Sequence, residues 1–229
     1  MPPTKSKPWL PYVAPFAIYM AFLLAQSPGN LLWVYPAKTI AVAAALWIFR
    51  RKYEEIRLPR VVGRVPPRGE HSRPATSGDV AYNMIWAVAI GLVAIAIWIA
   101  IDPVYPKLSK VVPFDATGQW LFIVFRVVGA VVVVPVMEEL FWRAFLIRWL
   151  VNEDFKKVPV GTFTWGSFAI TAALFGAEHN EWLAGLICGV LYNWLYYRRK
   201  DVFSCVVAHA VSNAALAGWV LARGDWKFW

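Results

Sequence analysis

The polar residues that could do chemistry in this chain are few. Within apolar stretches they are Arg126, Glu138, Glu139 and Arg143, then Glu178 and His179, then His209 and Asn213. In the segment VPVMEELFWRAFLIRWL, Glu139 and Arg143 are four residues apart and so share a helix face on which they can pair. His209 and Asn213, in AHAVSNAAL, have the same spacing, which stacks an imidazole and a carboxamide on one side of a helix. Phe175 and His179, in FGAEH, repeat the interval. Glu138 is turned about 100° from Glu139, so the two carboxylates need not do the same job. A carboxylate beside an imidazole can take a proton from water, while a second imidazole and an amide aimed at one point can donate to a developing oxyanion. Together these parts make a peptidase. The same glutamate and histidines, Glu138, His179 and His209, could instead hold zinc through two imidazoles and a carboxylate, leaving a position open for water.

Structural roles compete with these. Glu139 with Arg143 could serve only as an ion pair that fixes helix packing. His209 with Asn213 could supply only packing hydrogen bonds. Arg126 reads most simply as a side chain reaching toward the outer interface. A purely structural account must, however, explain three separate segments that each carry a costly polar group within apolar surroundings.

Those surroundings set the class. Of 229 residues, 59% are hydrophobic and 16% charged, with 14 Trp, which is too apolar for an ordinary water-soluble domain. Runs near the ~20 residues needed to cross a bilayer occur at about Trp9–Ala25, Leu31–Phe49, Val80–Ile101, Gln119–Met137 with an extension to Leu150, Gly161–His179, Trp182–Tyr197 and Val202–Ala222. The expected fold is an all-α, polytopic bundle with seven to eight spans, the eighth arising if Leu140–Leu150 separates. Pro135 marks the place for a kink. Residues 1–229 read as one integral membrane domain, with a basic cytoplasmic loop at 50–79 and the chemistry-bearing helices at 119–222. The N-terminal stretch shows no clean cleavage site and reads as a retained first span. Cys188 and Cys205 lie in apolar segments without metal-ligand spacing and read as buried small residues.

The net charge of +9 would suit nucleic acid, but the basic residues cluster between apolar runs, where they orient a protein in a bilayer. No nucleic-acid partner is expected. The Arg50–Asp79 connection holds eight of the 23 Lys and Arg residues and one histidine, His71. Lys5 and Lys7, Phe155–Lys157 and Arg198–Lys200 fall on the same side if seven spans alternate. That side is then cytoplasmic, and the C-terminal residues face outward. Depth presents one conflict. At ~1.5 Å per residue, Glu138 lies ~15 Å from Arg148 and His209 ~13 Å from Lys200, whereas His179, counted as one helix from Lys157, lies ~33 Å away. Pro159 and Gly161 suggest a helix that starts late and deep, which narrows the gap.

EELFWR, FGAEH and HAVSN, in that order, resemble the EExxxR, FxxxH and HxxxN motifs of the CAAX-protease and bacteriocin-processing family of intramembrane proteases, which includes the type II CAAX prenyl endopeptidases. The likeness covers Glu138 to Asn213. The short form and PYVAPFAIYM also look like the CAAX-protease-related proteins found beside bacterial exosortase systems. The resemblance implies that Glu138 is the main catalytic acid/base, that Glu139 and Arg143 support it, that His179 helps to activate water, and that His209 with Asn213 stabilises the oxyanion. It also implies membrane-bound or lipidated peptides as substrates and a bacterial inner membrane as the site of action. It leaves metal dependence open. No HExxH is present, so metal-free hydrolysis is favoured, with zinc as the alternative. A proton- or ion-coupled transporter would also place Glu, His and Asn at membrane depth, although no repeat relates two halves. A non-catalytic adaptor or immunity protein would not need the full set.

Overall fold

The computed structural model describes residues 7–56, 77–110 and 113–229. Most of the basic 50–79 connection, including His71, lies outside the described residues. Within them the chain is all-helical, and it is an integral membrane protein. The long helices are α1 Leu10–Ala25, α2 Leu31–Phe49, α3 Ser77–Ile101, α4 Trp120–Trp149, α5 Trp165–Ala177, α6 Trp182–Arg199 and α7 Val202–Arg223. The α2, α3, α4 and α7 segments are long and apolar enough to cross a membrane, whereas α1 and α5 are shorter apolar helices. α6, with Tyr, Asn and Arg in its second half, is less apolar.

α4 is one continuous helix, so Leu140–Leu150 does not separate into an eighth span. It changes pitch instead of kinking. Two π-helical stretches, Gly129–Val133 and Leu140–Leu146, bracket a regular piece at Val134–Glu139. Pro135 falls in the first turn of that piece, where the preceding wide turn accommodates the missing N–H without a break. Each π turn also rotates the rest of the helix beyond it, so the faces presented by Arg126, Glu138 and Arg143 are not those of an unbroken α-helix.

Helices pack closely where chemistry-bearing residues sit. α3 lies against α7 at Gly91, where an added Cβ would come within 2.4 Å of the Ala208 carbonyl, next to His209. α5 lies against α6 at Gly185, whose Cβ would be 3.1 Å from His179 Nδ1. Small residues admit such approach where lipid supplies no hydrophobic drive between helices. The core joins Tyr12, Tyr53, Ala87, Leu140, Phe175, Tyr192 and Ala208, so every long helix of the second half packs into a common interior with α1 and α3.

The basic end of the bundle is latched. Glu55, just after α2, accepts from Arg148 Nη1 at 2.8 Å and Lys156 Nζ at 2.8 Å through Oε1, and from the Tyr12 hydroxyl at 2.8 Å through Oε2. Arg148 also donates from Nε to the Val158 carbonyl at 2.8 Å. α1, the end of α2 and the end of α4 are thereby tied at one face, with the Tyr53 hydroxyl donating to the Pro11 carbonyl beside them. Burial disfavours the Glu55 carboxylate, but the bond and charge of Lys156 outweigh it, with Tyr12 adding a donor, and its pKa lies below the ordinary carboxylate value. A carboxylate held low contributes stability that is complete above its unfolded pKa and is lost as pH falls through the folded one. Glu55→Gln should therefore lower stability at neutral pH by on the order of 3 kcal/mol, since it leaves two cations short of their partner. The gap to the parent should close as pH drops below the unfolded carboxylate value of about 4.3. Thermal unfolding in an uncharged detergent across pH 3–8 checks both parts.

Candidate active site

Glu139 is completely buried, and its Oε1 takes two donors: Arg143 Nη1 at 3.1 Å, one turn along α4, and His209 Nδ1 at 2.9 Å, from α7. Arg143 is equally buried, with its guanidinium over the rings of Phe175 and Tyr192 at 4.7 and 5.6 Å. The expected pairing on one helix face is present, but it also reaches a second helix. Because Glu139 faces a cation, it is an acceptor, so the His209 Nδ1 atom carries hydrogen and donates. Tyr192 stacks on the imidazole at 5.3 Å, and its hydroxyl is 2.6 Å from the Ser212 Oγ. His209 is thus fixed in the plane that turns Nε2 toward Glu138, whose Oε2 is 4.0 Å away.

Glu138 occupies the neighbouring position. Its Oε2 is buried and has no hydrogen-bond partner among the described residues. It lines a cavity of about 210 Å³ together with His179, His209 and Asn213. His179 Nδ1 is 2.7 Å from the Phe175 carbonyl. A carbonyl only accepts, so Nδ1 is the donor and Nε2 keeps a lone pair. The four-residue interval in FGAEH therefore orients the imidazole through the backbone of the preceding turn. The depth conflict is narrowed by the chain between Lys157 and Thr164, which is not an α-helix. α5 starts only at Trp165, capped by the Thr164 side chain accepting from the Ser167 N–H. From there His179 is ~21 Å along, not ~33 Å. The Gly161 backbone, at φ +81°, packs against Lys200 at the basic end, and this turn needs a residue without Cβ.

Asn213 lies half-buried on α7, and its Nδ2 donates to the Ala130 carbonyl at 2.7 Å, in the first π-helical stretch of α4. One amide hydrogen is used in helix packing and a second remains. Arg126, near the start of α4, lines the same cavity. Both cysteines are buried, and Cys188 also lines the cavity.

Glu178 adds to the site. It accepts from the Trp142 indole N–H at 3.2 Å, and a carboxylate oxygen of Glu178, one of Glu138 and a ring nitrogen of His179 all lie within 4.8 Å of one another. Sequence spacing gives no reason to choose it over its neighbours, although an acidic residue beside a histidine at membrane depth is itself a signal. The donor chemistry of this trio fits a divalent ion such as zinc.

The cavity runs from Glu138 and His209 to a mouth at Trp98, Arg126, Glu181 and Trp229. That is the end opposite the Glu55 latch. Residues 119–215 match the family model for type II CAAX prenyl endopeptidase Rce1-like proteins. The match takes in all of EELFWR, FGAEH and HAVSN, and α4 to most of α7. No curated protein and no solved structure matches the chain.

The two glutamates should separate in stability. Glu139→Gln removes the charge that Arg143 and His209 share, and should cost on the order of 3–5 kcal/mol because the guanidinium stays buried. Glu138→Gln, with no hydrogen bond lost from its Oε2, should unfold within about 1 kcal/mol of the parent. Thermal unfolding of both variants in the same detergent checks the contrast.

Proposed function

We propose that the protein is an intramembrane endopeptidase in which Glu138 activates water for attack on a peptide bond of a membrane-associated or lipidated substrate. The observation that carries this reading is the cavity that places an unpartnered Glu138 Oε2 between two imidazoles whose Nδ1 atoms are already committed. A water between Glu138 and His179 gives up a proton to Glu138 while His179 Nε2 accepts its second hydrogen. The water oxygen bonds to the carbonyl carbon, and the carbonyl π electrons move to oxygen. In this reading His209 Nε2 and the second amide hydrogen of Asn213 donate to that oxyanion. To donate from Nε2 as well as Nδ1 the His209 ring must be doubly protonated, and Glu139 is the counter-ion such a ring needs. As the C–N bond breaks, Glu138 returns its proton to the leaving nitrogen, giving an acid and an amine. Arg143 and Glu139 act through His209 as positioning residues.

No cofactor is required by this scheme. The zinc alternative would use Glu138 and His179 with His209 or Glu178, and the ion would supply a polarised water. The membrane assigned in this reading is the bacterial inner membrane, with the basic end in the cytoplasm.

Purified protein in liposomes, given lipidated or membrane-bound peptides, tests the class, with ion flux measured beside it. Glu138→Gln should lose about 10²- to 10⁴-fold in turnover while remaining inserted. Retained turnover would sink the general-base assignment. His209→Ala and Asn213→Ala should each lower turnover by roughly 10²- to 10³-fold with little change in apparent affinity. Under the zinc alternative a chelator abolishes activity, zinc restores it, and Asn213→Ala matters far less than His209→Ala.

A further inference from the structure

Two cations in the membrane-embedded part of the bundle take no part in the chemistry above. Arg126 lines the cavity near its mouth, with Nε buried and without a hydrogen-bond partner among the described residues. The groups flanking its guanidinium are rings, Tyr35 at 4.7 Å and Trp229 at 5.7 Å. Also near Tyr35 is Lys38 of α2, only 2% exposed, with Nζ 4.3 Å from that ring, 4.6 Å from Tyr19 and 3.2 Å from the neutral Gln26 Oε1. The two side chains thus share one aromatic ring. Their partners among the described residues are π faces and an amide, not carboxylates. Cation–π contacts offset part of the cost of removing such charges from water, but an anion offsets far more. Arg126, a cavity residue that carries positive charge without an acidic partner among the described residues, is what a binding site for an anion presents.

We propose that Arg126, with Lys38 at the same Tyr35 ring, binds a carboxylate of the substrate at the mouth of the cavity. This rests on the peptidase reading for the identity of the ligand. At ~1.5 Å per residue, Arg126 stands ~18 Å along α4 from Glu138. An extended peptide covers ~3.3 Å per residue, so the carboxylate falls ~5 residues from the bond that is cut. Arg126 is then a specificity-determining residue, selecting an acidic side chain or chain end at a set distance.

The probe is an N-acetylated apolar hexapeptide of Leu and Ala, made with a free C-terminal carboxylate and as its carboxamide. Binding is measured to the Glu138→Gln protein in an uncharged maltoside detergent, so that no hydrolysis is needed. The acid should bind roughly 10-fold more tightly than the amide, as one charge-assisted hydrogen bond provides. Adding Arg126→Gln should abolish that preference, whereas Arg126→Lys should keep part of it. Equal affinity for acid and amide in the Glu138→Gln protein, or an undiminished preference after Arg126→Gln, overturns the proposal. In nanodiscs, a preference for phosphatidylglycerol over phosphatidylcholine that depends on Arg126, with none for the peptide acid, assigns the cations to a lipid headgroup and also overturns it. A protein that prefers the acid but hydrolyses nothing keeps this site and loses the peptidase; one that hydrolyses peptides while binding acid and amide alike loses only this site.

Discussion

The fully buried carboxylate of Glu139 is the interaction on which the site depends. One oxygen takes both the Arg143 guanidinium, from its own helix, and the His209 imidazole, from α7. A charge pair inside an apolar bundle costs several kcal/mol in desolvation, recovered only with good geometry and further hydrogen bonds. Here the rings of Phe175 and Tyr192 face the guanidinium, and Tyr192 also stacks on His209. The α4, α5, α6 and α7 helices are therefore locked around one ionic centre. Glu138, the preceding residue, is left turned toward the cavity with a free oxygen. The adjacent glutamates have different surroundings because a helix rotates each residue by about 100°: one is held by Arg143 and His209, the other lines the cavity.

The bundle is asymmetric along the membrane normal. At one end Glu55, Arg148, Lys156 and Tyr12 close the interior with charged hydrogen bonds. Toward the other the cavity is lined by Trp98 of α3, Arg126 of α4 and Leu216 of α7. The irregular backbone of α4 suits this division. Its first π-helical stretch contains the Ala130 carbonyl that Asn213 ties down, and its second contains Arg143. A wide turn is costly in a regular helix, and such turns are common where a side chain must be aimed.

The sequence by itself determined the membrane class, the approximate positions of the seven helical segments, and the identity of the residues at the centre. These rest on local quantities: an apolar run long enough for a bilayer, and the four-residue spacings of Glu139 with Arg143 and of Phe175 with His179. Local reasoning also showed that His179 could not be reached by one straight helix from Lys157. What it could not supply was where that helix begins, because Thr164 caps it only once Gly161 has turned against Lys200, a contact between residues far apart in the chain. The tertiary structure alone decided that His209 pairs with Glu139 rather than only with its helix neighbour, that Glu178 stands beside Glu138, and that Arg126 lines the cavity. Each of these is a distance between different helices, and the spacing along one helix does not fix how its neighbours are rotated and how closely glycines such as Gly91 and Gly185 let them approach.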